Sequence, residues 1–181
     1  MGQRFSVIGD RHRSFIERQR VFFVATATAG GRVNVSPKGM DALRVLDPGR
    51  VAWLNLTGSG NETAAHLLEN DRMTVMFCAF EGAPMILRLY GHAAVLHRRD
   101  AGWADLAGMF PALAGARQII DLHVDLVQTS CGLGLPLFDY REQRDGLEAW
   151  ARGKGADGIR RYWEEKNRLS LDGKATGVLE S

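Results

Sequence analysis

Short runs of β-branched, aromatic and aliphatic residues recur along the first two-thirds of the chain, and a turn ends each of them. The clearest turn is Gly30–Gly31, which separates RVFFVATATA from RVNVSPKG and predicts a tight hairpin. PGR likewise separates ALRVLD from VAWLNL, and EGAP separates RMTVMFCAF from MILRLYGHAAVLHR. Hairpin links imply antiparallel pairing. About six to seven strands in roughly 110 residues favour a closed barrel over an open sheet.

Helix-like segments surround these strands. Asp10–Gln19 carries Phe15 and Ile16, and Asp100–Phe110 is also predicted to be helical. The last predicted strand is Ile119–Gln128. Few helices are predicted beside the strands, so the fold class is mainly β with helices (α+β).

The pattern changes beyond Pro136. Residues 145–177 predict two helices followed by a polar tail. We therefore expect a β-barrel domain over residues 1–135. A helical extension over residues 136–181 is expected to pack on the barrel or on a partner subunit.

Composition narrows the functional classes. The 181 residues carry a net charge of +2 and contain no dense run of Lys or Arg, which gives little reason to expect a nucleic-acid binder. Cys78 and Cys131 are too few for a disulfide framework, so free thiols are expected. No apolar stretch is long enough to cross a bilayer, and the N-terminus lacks a secretory layout. A soluble, cytoplasmic protein with no membrane association is expected.

The segment NLTGSGNETAAHLLEN, residues 55–70, links a predicted buried strand to a predicted helix. Ser59 and Glu62 have the spacing of a capping box, a purely structural role. The same turn also offers hydroxyls, an amide and backbone N–H groups to an anion at the helix start. Those polar side chains belong to Thr57, Ser59, Asn61 and Thr63. The residues alone leave both roles open, and the Glu62 carboxylate argues against an anion.

Two further cations and one cysteine are candidates for chemistry. Lys38 follows Ser36–Pro37 in a strand that proline confines to an edge or a bulge, and it is either a cofactor contact or an ordinary solvated lysine. Arg88 lies in an apolar strand whose alternation places it on the face opposite Leu87. It either pairs with a carboxylate or faces an anionic ligand. Cys131 is expected to be a buried, inert thiol.

These segments together resemble the pyridoxamine 5'-phosphate oxidase-like family of FMN-binding split barrels. The order and spacing of NVSPKG, GSGNETAAHL, MFCAFEGAP, RLYG and TSCGLGLP most resemble its branch of flavin-nucleotide-binding proteins. The resemblance covers residues 15–135 well. It implies a homodimer with two FMN sites at the subunit interface.

The resemblance also implies roles for individual residues. The strand 33–38, with Val35, Ser36 and Lys38, would lie along the isoalloxazine ring. The turn 57–63 would hold the phosphate through Thr57, Ser59, Asn61 and Thr63, with Arg88 close by. The family places an Arg-Lys pair at this turn, whereas this chain has Glu62 and Thr63 there. A phosphate would therefore lose its two nearest cations, unless Lys38 and Arg88 compensate.

The expected function is flavin-mediated hydride transfer to or from a small molecule. The alternatives are a protein that holds a flavin, deazaflavin or tetrapyrrole without turnover, and a dimer that binds no cofactor. No side chain is identified as a catalytic acid or base. The five histidines show no metal-ligand spacing, so no metal site is expected.

Overall fold

The computed structural model describes residues 2–179. Its strands are β1 (Gln3–Phe5), β2 (Phe22–Thr26), β3 (Asn34–Lys38), β4 (Leu43–Asp47), β5 (Arg50–Leu56), β6 (Arg72–Cys78), β7 (Ile86–His97) and β8 (Ala116–Ser130). Its helices are α1 (Asp10–Arg18), α2 (Glu62–Leu67), α3 (Trp103–Ala107) and α4 (Gly146–Tyr162), and α4 continues into a π-helical turn at Trp163–Asn167. Helix α1 is as predicted, with Phe15 and Ile16 buried, whereas α3 is shorter than predicted.

The strands form one antiparallel sheet in the order β3-β2-β6-β7-β8-β5-β4, and β1 adds to β8. The predicted antiparallel barrel with a helical C-terminus is confirmed. The eighth strand is β1, which has three residues and too short a pattern to be recognised in the sequence. The β2–β3 hairpin is present, but its connection spans residues 27–33 rather than two glycines alone.

The inner face of the curled sheet forms the core. Trp53, Phe77, Leu87 and Leu89 are almost completely buried there. The predicted alternation on β7 is confirmed, since Arg88 lies between two buried leucines and is itself partly exposed. Strand β8 comes close to β7 at Gly91, where a Cβ would lie 1.8 Å from a backbone oxygen of β8. Only glycine permits this register shift.

The C-terminal part packs against the barrel. Helix α4 is interrupted at Gly155, whose φ of 64° is not helical, so the two predicted helices correspond to its two halves. The polar tail that follows folds back on itself through a bridge between Leu169 and Ala175. Thr176 is buried. Among residues 2–179, no helix is both long and apolar enough to span a membrane.

Candidate functional site

The connection between β5 and α2, residues 57–61, is here called the β5–α2 turn. The side chain of its first residue, Thr57, makes hydrogen bonds within the protein as both donor and acceptor. The Thr57 hydroxyl donates to the Gly115 carbonyl at 2.7 Å and accepts from the Trp163 indole N–H at 2.8 Å. Thr57 is 1% exposed and does not line the cavity described below. Its hydroxyl therefore shapes the turn rather than facing a ligand.

The predicted capping box is absent. Helix α2 begins at Glu62 with Asn61 as the N-cap residue, and the Asn61 side chain makes no capping bond. The Glu62 carboxylate accepts the backbone N–H of Leu171 instead, at 3.0 and 3.2 Å. The prediction failed because a distant C-terminal segment supplies a competing donor. With only six residues, α2 also adds few aligned peptide dipoles, so charge at this site must come from side chains.

A cavity of about 330 Å³ opens beside the β5–α2 turn, in the size range of small-molecule sites. Strand β3 contributes one wall, the turn another, and β5 and β8 the floor. Its lining residues are Ser36, Pro37, Lys38, Asn55, Gly58, Ser59, Gly60, Asn61, Glu62, Thr63 and Arg117. Five residues that the sequence singled out therefore come together: Ser36, Lys38, Ser59, Asn61 and Thr63.

The other predicted site residues do not line this cavity. Val35 points away from it on the outer face of β3 and is 62% exposed. Thr57 is buried within the β5–α2 turn. The Arg88 guanidinium donates to Ser130 Oγ at 3.3 Å. Within residues 2–179, Arg88 forms no ion pair, so the carboxylate partner considered for it is not found there.

Arg117 is the cavity residue that the sequence did not reveal. It is 3% exposed, and its guanidinium donates to the Gly60 carbonyl at 3.2 Å and to Asn167 Oδ1 at 2.7 Å. Both acceptors are neutral, and in the described part of the chain no carboxylate pairs with it. Burial lowers the pKa of Arg117 to about 9, because the charged form is removed from water without a counter-ion.

Lys38 is a second cation in the same cavity. Its ammonium lies 5.2 Å from the centre of the buried Trp53 ring. Burial, and to a smaller extent the positive charge of Arg117, together lower the pKa of Lys38 to about 8. Two cations thus repel each other around one cavity with no ion-pair partner in residues 2–179. An anion in the cavity would relieve both penalties.

Unpartnered polar atoms give the cavity a chemical preference. Among residues 2–179, no hydrogen-bond partner is found for three buried atoms, Asn55 Oδ1, Asn61 Nδ2 and Arg117 Nε, and all three residues line the cavity. Two of these atoms are donors. Buried donors normally have a partner, so a ligand rich in acceptor oxygens fits this set. A phosphate monoester provides such oxygens together with the negative charge.

Asn34 organises the β3 wall of the cavity. Its side-chain Nδ2 donates to Thr26 Oγ1 and to Thr63 Oγ1, each at 3.2 Å. Its side-chain Oδ1 accepts from Ser36 Oγ at 2.8 Å. Thr26 in turn contacts His66 Nδ1 at 3.1 Å. The hydroxyls of Ser36 and Thr63 are therefore held in place by β3 itself.

Cys131 differs from its prediction. The thiol is exposed rather than buried, and hydrogen bonding from the backbone of Leu133 lowers its pKa. The TSCGLGLP segment contains the last two residues of β8, and Cys131 follows the end of that strand at the surface, so the small residues around it did not indicate burial of the thiol. Cys78 is buried, and both cysteines are free.

Comparison with known proteins gives a family match for most of the chain. A family model described as pyridoxamine 5'-phosphate oxidase matches residues 8–131. The pyridoxamine 5'-phosphate oxidase family protein ustO of Aspergillus flavus is 44% identical over 141 residues, which is 75% of this chain. The match covers 56% of that protein, so this chain corresponds to little more than half of its relative's length.

Solved structures share the fold at low identity. HupZ of Group A Streptococcus, in a variant form, is 19% identical and superposes with a TM-score of 0.54, covering 68% of this chain and 99% of that one. A Lactobacillus delbrueckii protein, named provisionally as a pyridoxamine 5'-phosphate oxidase, is 17% identical with a TM-score of 0.53. That match covers 68% of this chain and 94% of the other. At these identities the likeness establishes the split-barrel fold alone.

Proposed function

The chain belongs to the pyridoxamine 5'-phosphate oxidase family, and on that premise we propose that it binds flavin mononucleotide in the cavity beside the β5–α2 turn. The flavin would exchange hydride with a small substrate. One observation carries the proposal: Lys38 and Arg117 bring two positive charges to one cavity that has no carboxylate paired to either in residues 2–179. The flavin phosphate is a suitable counter-ion.

The proposed roles follow the contacts of the cavity. Arg117 and Lys38 balance the phosphate charge, and Asn61 Nδ2 with Arg117 Nε donates hydrogen bonds to its oxygens. This arrangement replaces the Arg-Lys pair absent at Glu62 and Thr63 with cations from β3 and β8. When bound, the flavin supplies the redox chemistry, and the protein supplies position and charge.

The proposal includes a homodimer. Strand β3 is an edge strand. Val35 in this strand is 62% exposed, and Val33 just before it is 70% exposed. An exposed apolar edge is usually covered by another chain or element. A second copy placed there would also cover the β3 wall of the cavity. Sedimentation equilibrium should give the dimer mass, and a monomer at micromolar concentration would contradict this part.

Absorbance and fluorescence titration test the proposal. The purified protein should carry flavin absorbance or should quench added FMN fluorescence saturably. Anaerobic addition of NADH or NADPH should then bleach the bound flavin, and a small oxidant should restore its absorbance. Absence of FMN binding would overturn the proposal. Binding without reduction by either donor would favour a non-catalytic flavin carrier over an oxidoreductase.

A further inference from the structure

The chain from Trp163 to Gly177, here called the C-terminal segment, contacts the β5–α2 turn through residues that do not line the cavity. We propose that this segment holds the anion site in its binding geometry: Asn167 positions Arg117 without neutralising it, and the Leu171 N–H engages the Glu62 carboxylate. The inference rests on the proposed function, because it assigns these residues to the same phosphate site.

Asn167 is the centre of the contact. It is completely buried, its Oδ1 accepts from Arg117 at 2.7 Å, and its Nδ2 donates to the Gly58 carbonyl at 3.1 Å. The hydroxyl of Thr176 donates to the Asn167 carbonyl, which fixes the backbone at this point. One amide therefore joins the arginine to the turn beside it. Because the amide is neutral, the guanidinium keeps its charge for a ligand.

An aspartate would satisfy the same guanidinium better and would defeat the site. A carboxylate at position 167 would form a charge-assisted pair with Arg117 and cancel the field that an anion requires. The Gly58 carbonyl would also lose its donor. Asparagine is the isosteric residue that orients Arg117 and leaves the charge available. Its contribution is therefore positional, since nothing places Asn167 in the cavity lining.

The same segment engages the one carboxylate of the cavity. Glu62 lines the cavity and would repel a phosphate, but its two oxygens accept the Leu171 N–H. This hydrogen bond holds the carboxylate toward the C-terminal segment and stabilises its charge there. A residue that opposes anion binding by charge is thereby given a structural partner outside the cavity.

Further contacts anchor the segment at both ends. Trp163 donates its indole N–H to Thr57 at 2.8 Å, next to the turn. Farther along, Asp172 pairs with Arg32 and Lys174 pairs with Glu69. The Gly177 carbonyl accepts from Arg99 at 2.9 Å. The segment thus ties the β2–β3 connection, α2 and the turn together around Asn167.

The test uses the full-length protein and the substitution Asn167→Asp, with Arg168→Gln as the matched control. Both changes lower the net charge by one on adjacent residues, but Arg168 is exposed whereas Asn167 is buried. Asn167→Asp should weaken FMN binding about tenfold or more, because a charge-assisted contact is worth that factor. Its affinity for riboflavin, which lacks the phosphate, should stay within a factor of about two of wild type. Arg168→Gln should match wild type for both ligands.

Asn167→Ala gives an independent reading, since it removes both amide contacts without adding a charge. It should weaken FMN binding less than Asn167→Asp and should also spare riboflavin. If both Asn167 variants keep the wild-type preference for FMN over riboflavin, the positional role is wrong. Melting curves confirm that each variant is folded before titration.

Inorganic phosphate separates failure of this inference from failure of the proposed function. If wild type shows no preference for FMN over riboflavin, the flavin proposal is overturned. The inference then stands if phosphate raises the melting temperature of wild type and Arg168→Gln but not of Asn167→Asp. It is overturned if phosphate acts equally on all three proteins or on none.

Discussion

The β5–β8 ladder carries an arginine near each end, and the two have opposite surroundings. Arg50 donates to both oxygens of Asp121, at 2.8 and 2.7 Å, and this bonding raises its pKa. In the described part of the chain the acceptors of Arg117 are all neutral, and burial lowers its pKa to about 9. The same residue type, on the same pair of strands, is neutralised inside the chain at one end and left charged at the other.

On the proposed function, this difference separates a structural cation, Arg50, from a ligand-binding one, Arg117. A half-buried arginine that is paired with a buried aspartate completes its own charge balance and needs no ligand. Burying an arginine without a counter-ion costs free energy of folding. Arg117 is such an arginine, and it lines a cavity that Lys38 also lines. The position of an unbalanced charge, rather than the number of charges, is what led us to propose this cavity as the site.

The largest expected effect comes from exchanging the two arginines for methionine. Arg117→Met should weaken FMN binding about 100-fold, because it removes a charge-assisted contact together with its orientation. Arg50→Met should leave FMN affinity unchanged but lower the free energy of unfolding by about 1–3 kcal/mol, since Asp121 is left buried and unpaired. Fluorescence titration and urea denaturation measure the two quantities.

The double variant Arg50→Met/Asp121→Asn separates loss of the ion pair from burial of an unpaired aspartate. It removes both charges of the pair and should recover part of the stability that Arg50→Met loses. The distinction between the two ends of the ladder fails if Arg50→Met weakens FMN binding as much as Arg117→Met does.

The second prediction concerns pH. Lys38 has a folded pKa of about 8, so its charge, and with it FMN affinity, should fall by about tenfold as the pH rises from about 7 to about 9.5. Riboflavin affinity should be flat over this range. In Lys38→Met the decline should shrink. An FMN affinity that stays constant or increases up to about pH 9.5 would contradict the role of Lys38.

The ligand-free protein should respond to pH in the opposite sense. The folded pKa of Lys38 lies below its ordinary value of 10.5, so the unfolded chain binds more protons between about pH 8 and that value. The contribution of Lys38 to the free energy of unfolding should therefore increase with pH in this window. Comparison of wild type with Lys38→Met by denaturation isolates that contribution.

The smallest expected effect is that of Glu62→Gln. The amide oxygen keeps an acceptor for the Leu171 N–H, and loss of the negative charge should tighten FMN binding about two- to fivefold at low salt. Glu165→Gln makes the same charge change at an exposed position and should have no effect. Weaker FMN binding in Glu62→Gln would show that the carboxylate has a positive role in the site.

The sequence predicted the fold well because the fold depends on local patterns. Alternation in β7 predicted that Leu87 and Arg88 lie on opposite faces, and turn residues marked most strand ends. Strand β1 was missed because three residues carry too little pattern. The Ser59–Glu62 capping box failed for a different reason, since the donor to Glu62 comes from Leu171, 109 residues away.

The lining of the candidate cavity was only half predictable. Turn chemistry and resemblance had already made candidates of five lining residues: Ser36, Lys38, Ser59, Asn61 and Thr63. Arg117 was missed because the last strand was predicted to begin at Ile119, whereas β8 begins at Ala116. The rule that drew attention to Arg88, a charge within an apolar strand, applies equally to Arg117 once the strand is extended. Which charge has a partner depends on tertiary contacts that no local pattern contains.

A crystal structure of the protein with FMN bound would measure the position of the phosphate directly. The phosphate oxygens should lie within hydrogen-bond distance of the Arg117 guanidinium and the Lys38 ammonium, with Arg50 still paired to Asp121. A phosphate bound elsewhere, with Lys38 and Arg117 touching no flavin atom, would contradict the assignment of these two cations to the site.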